Sequence, residues 1–412
     1  MPPVPASSRL LAGGRVVTPG GVLSPGWIRL AGGLIDAVGP GEPPEPPPAG
    51  LPVTDLRGRW VLPGFVDMHV HGGGGTSFTE GSADDARNAA EFHRRHGSTT
   101  IVASLVTAPV AELEARAAML AALTRDGVLA GIHLEGPFLA AARCGAQDPR
   151  YMIAPSVAAF DRLLAMAAGW LRVITLAPEL PRATDLITAA VEAGVIAAVG
   201  HTDATADVTA AAVDAGASHA THLFNGMRPL HHREPGPVGA LLDRDEVSCE
   251  VIADGVHLHD TAIRLVARAA GPARLVLITD AMAAAGMPDG RYQLGSMRVD
   301  VAGGVARLAA DTEPGAGAGS GADAGPRVSG AIAGSTATMA SVVRHAVAAG
   351  LPVTDVAAAA STNPARVLGL ADRTGALCPG LDADLVVCDE AFGLRAVMQR
   401  GEWVTRSRGP NR

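Results

Sequence analysis

Residues 65–72 read Phe65-Val66-Asp67-Met68-His69-Val70-His71-Gly72. The stretch is a short apolar run, yet it carries two histidines at its end. Strand side chains alternate faces with period two, so His69 and His71 point to the same side. The run is the first of eight. Similar apolar runs recur at 99–104, 128–134, 171–176, 195–199, 219–223, 247–253 and 275–279. Between them lie segments rich in good helix formers, at 83–96, 111–124, 156–168, 183–193, 205–215 and 260–269. Near-continuous apolar strands alternating with helices imply a parallel sheet buried on both faces. Eight such units predict an α/β chain folded as a (β/α)8 barrel.

On either side the pattern changes. The first sixty residues read as short strands at 15–17, 27–30 and 34–38, followed by a Pro/Gly-rich stretch at 39–52. Beyond Asp280, 291–308 reads as a hairpin and 309–326 as a flexible low-complexity insertion. Helical segments return at 335–349 and 353–359, and Asn363-Pro364-Ala365 starts a short helix with Pro in its first turn. The tail is strand-like at 385–388 and 394–404. Strands at both chain ends predict a small β-sandwich domain made of 1–62 and 370–412, around a barrel at 63–369.

Composition narrows the chemistry. All 33 basic residues are Arg, so Schiff-base lysines, pyridoxal-phosphate chemistry, P-loops and a carboxylated Lys between two metals are all excluded. Thirteen His remain for acid–base or metal work. A net charge of -8 argues against a nucleic-acid footprint. No apolar run approaches the roughly 20 residues of a bilayer span, and the N-terminus lacks a signal-peptide pattern. Four scattered Cys, at 144, 249, 378 and 388, fit a reduced, cytoplasmic protein.

A (β/α)8 barrel carries its active site at the C-terminal ends of its strands. The expected strands end in His69 and His71, Glu135, His201, His222, His257 and Asp280. Imidazoles and carboxylates gathered at one mouth suit a divalent ion, Zn or Fe, with Co or Mn as substitutes. Each feature alone has a blander reading. A His-x-His pair or a lone His is more often core. His133 reads as a satisfied core or supporting group, and His219 as packing. Glu179 is a mouth carboxylate with a supporting role open to it. His231, His232 and His259 read as loop residues.

The motifs resemble a known family. Asp67-Met68-His69-Val70-His71-Gly72, STNPARVLGL at 361–370 and GALCPGLDADLVV at 375–387 are similar to amidohydrolase superfamily strings. HLEGPF (133–138), LAPE (176–179), GHTDA (200–204), THLFNGM (221–227), ADGVH (253–257) and TDAM (279–282) resemble, in order, the N-acetylglucosamine-6-phosphate deacetylases. The resemblance implies Glu135, His201 and His222 as core metal ligands. It implies a second ion at His69 and His71, with Glu135 bridging and Asp280 beside both. One or two divalent ions are thus expected, Zn first among them. Ala146, Gln147, Asn225, Gly226, Ile332, Ala333 and Gly334 match substrate-contacting positions. Arg233 matches a phosphate-binding Arg, and His257 a residue at the acetamido carbonyl. The implied reaction is hydrolysis of N-acetyl-D-glucosamine 6-phosphate to D-glucosamine 6-phosphate and acetate. Metal-bound hydroxide would be the nucleophile and Asp280 general base, then acid. A homodimer is implied as well.

Two departures stand out: Cys144-Gly145-Ala146-Gln147 where Lys-Gly-Ala-His is usual, and Asn225-Gly226-Met227 where Asn-Ala-Met is usual. An N-acetylgalactosamine 6-phosphate deacetylase, another cyclic-amide amidohydrolase and a non-catalytic barrel remain as alternatives.

Overall fold

In the computed structural model, which describes residues 8–44, 50–310 and 330–406, eight strands pair side by side in sequence order. They are β1 (Phe65–Val70), β2 (Ser98–Leu105), β3 (Gly131–Glu135), β4 (Leu171–Leu176), β5 (Ile196–Val199), β6 (His219–Ala220), β7 (Ser248–Val251) and β8 (Leu275–Leu277). Every neighbouring pair is parallel. The ring closes just beyond β8, where Val70 bridges Ala281. There the N–H groups of His71 and Gly72 donate to the Ala281 carbonyl at 2.8 and 3.0 Å. The expected (β/α)8 architecture is therefore present. β6 is shorter than its apolar run because the chain leaves extended geometry at His222, whose φ is 26°.

Helices follow the strands and cover the barrel. Ala83–Arg95 starts at a reciprocal cap between Ser82 and Asp85, and Val157–Met166, Ala206–Asp214 and Met339–Ala348 start at Ser156, Thr205 and Thr338. Fully buried Phe65, Leu105, Leu113, Phe160 and Leu163 sit in the main core cluster. Truncating Phe160 to Ala would cost about 3–5 kcal/mol. Gly236–Leu242, which the sequence pattern missed, is a short helix opened by Pro235 and Pro237.

Between β8 and Met339–Ala348 the chain forms three antiparallel strands, Gly290–Leu294, Met297–Ala302 and Val305–Leu308, rather than a two-stranded hairpin. Of the expected 309–326 insertion, residues 311–326 lie outside the described residues. Strands from both chain ends join into one continuous mixed sheet of eight, separate from the barrel. Its seam is the antiparallel pairing of Trp60–Pro63 with Leu385–Cys388, over a core of Leu11, Ile28, Val61 and Leu385.

Candidate metal centre and active-site cavity

Six side chains from the strand ends converge, and all are buried. They form two groups with potential ligand atoms within 4.8 Å of one another: His69, His71 and Asp280, and Glu135, His201 and His222. The period-two argument for β1 holds, since His69 Nε2 and His71 Nε2 approach to 3.2 Å. Glu135 lies between the groups. Its Oε1 is 2.8 Å from His222 Nε2 and 3.1 Å from His201 Nε2, while its Oε2 is 3.3 Å from His71 Nε2.

Hydrogen bonds on the far side of the rings show that a cation fits. The Arg143 carbonyl can only accept, so His201 Nδ1–H donates to it at 2.8 Å. His69 Nδ1–H likewise donates to Glu250 Oε2 at 3.0 Å. The Nε2 atoms then face carboxylate oxygens, which are also acceptors. Only a positive charge, a proton or a metal ion, satisfies both sides. The direction of the pKa shifts agrees. Burial disfavours a charged ring, yet Glu250, Glu135 and Asp280 together hold His69 well above the usual range. Burial is likewise overcome at His71, where hydrogen bonds to Asp280 and Glu135 bring it to about 9. In spite of burial, Glu135 is held low by His69, His201 and His222, and Asp280 by His69 and His71. Histidine with Asp and Glu is the ligand set of two candidate buried divalent-metal sites.

Three of the six ligand candidates sit in left-handed backbone: His201 at φ 46°, His222 at 26° and Asp280 at 48°. Non-glycine residues there cost on the order of 1–3 kcal/mol each and concentrate at functional sites. Gly226, itself at φ 60°, permits this crowding. A Cβ on it would stand 2.9 Å from His201 Nδ1.

Above the two groups lies a cavity of about 250 Å³. Gly145, Ala146, Gln147, Asn225, Gly226, His257, Ile332 and Gly334 line it together with five of the six ligand candidates. Ala333 is fully buried behind its neighbours. His257 is oriented by Asp254, which accepts from its Nδ1 at 2.8 Å and from its backbone N–H at 2.9 Å. Gln147 is more constrained than expected. Its Oε1 accepts from the Thr107 N–H at 2.7 Å, which turns its Nε2 toward Glu135 Oε2 at 2.5 Å. Arg233 is not in the cavity lining. It is exposed on the loop after Met227, donating to His232 Nε2 at 2.8 Å. A larger cleft of about 630 Å³ lies to one side, lined by Glu80, Arg291 and Arg298 among others, and holds none of the six.

The remaining sequence candidates find plain roles. His133 lies between the Ser104 and Thr175 hydroxyls at 2.9 and 2.8 Å, as a satisfied core histidine. Glu179 supports the loop at His201, accepting from Thr202 Oγ1 and the Asp203 N–H. His259 caps Asp260–Ala270. His219 does more than pack, since its Nε2 donates to Glu250 Oε1 at 3.0 Å. Sequence reading passed over Glu250 and over His93, whose Nε2–H donates to the Gly72 carbonyl at 2.8 Å. Glu250 sits inside the run 247–253, and nothing local in the sequence names its partners.

Residues 60–404 match the amidohydrolase family model. The N-acetylglucosamine-6-phosphate deacetylase of Bacillus subtilis (strain 168) is 36% identical over 93% of both chains. An N-acetylgalactosamine-6-phosphate deacetylase of Escherichia coli O157:H7 is 35% identical, covering 96% of this chain and 99% of its own. A mutant N-acetyl-D-glucosamine-6-phosphate deacetylase from Mycobacterium smegmatis, solved with N-acetyl-D-glucosamine-6-phosphate, superposes with a TM-score of 0.88 at 45% identity, covering 97% of this chain and 100% of that one. With its barrel, its two buried ligand groups and these likenesses, the chain belongs to the N-acetylglucosamine-6-phosphate deacetylases of the amidohydrolase family.

Proposed function

We propose that this chain hydrolyses the acetamido group of N-acetyl-D-glucosamine 6-phosphate, giving D-glucosamine 6-phosphate and acetate. The observation that carries this is the placing of both ligand groups at the floor of a cavity lined by Asn225, Gly226 and His257. His69, His71 and Asp280 would hold one divalent ion and Glu135, His201 and His222 another, with Glu135 between them. Zinc suits this set best. When bound, such an ion supplies Lewis-acid polarisation and lowers the pKa of water.

The side chains divide the remaining work. Asp280 is held ionised, so its carboxylate can take a proton from the attacking water. It then returns that proton to the departing amine nitrogen, acting as base and then acid. His257, with its Nδ1–H given to Asp254, lines the cavity, and to meet the acetyl oxygen its Nε2 must carry a proton as well, so that the ring donates on both sides. Asn225 and the 332–334 segment position the sugar. Arg233 is assigned to the phosphate, for which a planar, permanently charged fork is suited.

A homodimer and a cytoplasmic setting complete the reading. Leu230, on the Arg233 loop, and Val256, next to His257, are exposed apolar side chains beside the mouth, 44% and 40% accessible, which a second copy would cover. No helix among the described residues is long and apolar enough to cross a membrane. The test is acetate release by the metal-loaded protein.

A further inference from the structure

Glu250 on β7 touches no part of the cavity, yet it is 1% exposed and lies directly behind both ligand groups. Its Oε2 accepts from His69 Nδ1–H and from the backbone N–H of His222, each at 3.0 Å. Its Oε1 accepts from His219 Nε2–H, also at 3.0 Å. The His222 N–H can only donate, so Oε2 is an acceptor beyond doubt of tautomer. His69 must therefore present its proton on Nδ1 and keep Nε2 for the cation side. The same oxygen steadies His222 at a left-handed φ of 26°.

We propose that Glu250 is the positioning residue that couples the two metal groups: one carboxylate oxygen sets the tautomer of His69 in the first and the backbone of His222 in the second. This rests on the metal reading given under Proposed function. Residues that orient metal-bound imidazoles in this way typically change affinity by about 10–100-fold when replaced. His219 has the complementary part, holding the far oxygen so that Oε2 stays aimed at both donors.

Glu250→Gln is informative because an amide has one accepting oxygen and one donating nitrogen. Three donors face the Glu250 carboxylate. If the amide nitrogen turns toward His69, the ring must accept at Nδ1 and carry its proton on Nε2, the atom needed for the ion. If it turns toward His219, that ring stays bonded only by accepting at Nε2 and moving its proton to Nδ1, a buried atom with no partner among the described residues.

The experiment is a zinc titration of chelator-stripped full-length protein against a competing chromophoric chelator, for wild type and Glu250→Gln, with circular dichroism as the check on folding. The expected result is about 10–100-fold weaker zinc binding by a folded variant. Equal affinity in the two proteins would overturn the proposal. Nitrogen-15 spectra of zinc-loaded wild type give a second test that needs no folded variant. There the His69 ring should carry a protected Nδ1–H, and an unprotonated Nδ1 would overturn the proposal. Wild type that binds no divalent ion at all would instead sink the metal reading itself, a distinct outcome.

Discussion

The backbone N–H of Asp280 donates to the carbonyl of His69 at 2.9 Å. That bond helps close the barrel between its first strand and the end of its eighth. It also sets the two side chains next to each other, with Asp280 Oδ1 3.5 Å from His69 Nε2 and 3.2 Å from His71 Nε2. One ligand group is thus built at the seam of the fold, so the contacts that close the barrel also place the site.

Asp280→Asn leaves that backbone bond in place but removes the proton acceptor. The variant should fold and lose turnover by roughly 10²–10⁴, the usual contribution of a general acid/base. Steady-state acetate release checks this, and a variant turning over near the wild-type rate would contradict the role.

Metal removal should abolish turnover and lower the melting temperature, because an ion that binds only the folded state stabilises it. The gain is about 2.7 kcal/mol at a hundredfold excess over Kd. Protons compete for the same Nε2 atoms, His71 taking one up to about pH 9 in the metal-free protein. Zinc affinity measured calorimetrically should therefore rise with pH across the neutral range.

Gly226→Ala tests the crowding at His201. The new Cβ would sit 2.9 Å from the ring, on a backbone at φ 60°. The left-handed conformation alone costs about 1–2 kcal/mol with a side chain. Both the melting temperature and the zinc affinity should fall. Unchanged zinc affinity would show that His201 yields without consequence.

Burial pushes His93 down to about 4 from 6.5, and its hydrogen bond to Gly72 does not offset this. Between those values the unfolded chain takes a proton that the folded chain refuses. Stability is therefore full above pH 6.5 and is lost as pH falls toward 4, by about 3 kcal/mol in all. The difference in urea midpoint between wild type and His93→Gln should shrink from pH 7 to pH 4.5. A constant difference would remove His93 from the acid response.

Much of this was legible in the sequence because it is periodic or local. Eight apolar runs mark the eight strands, and the strand ends name all six ligand candidates. His69 and His71 share a face by strand geometry alone. What stayed hidden depends on partners far apart in sequence. Glu250 meets His69 across 181 positions and looks, in its run, like any strand residue. The left-handed φ of His201, His222 and Asp280 is a backbone property that no side-chain type announces. The resemblance marks Gln147 as a substrate-contacting position, but its tie to the Thr107 N–H exists only once the loop after β2 and the 144–147 turn are packed together. Arg233, placed by motif alone, lies on an exposed loop outside the cavity lining.

The central claim is the reaction, and acetate release by the zinc-loaded protein tests it most directly. N-acetyl-D-glucosamine 6-phosphate should be turned over, and the unphosphorylated sugar and the galacto epimer, run beside it, measure how far the phosphate and the C4 configuration matter. No acetate from any of the three would contradict the account.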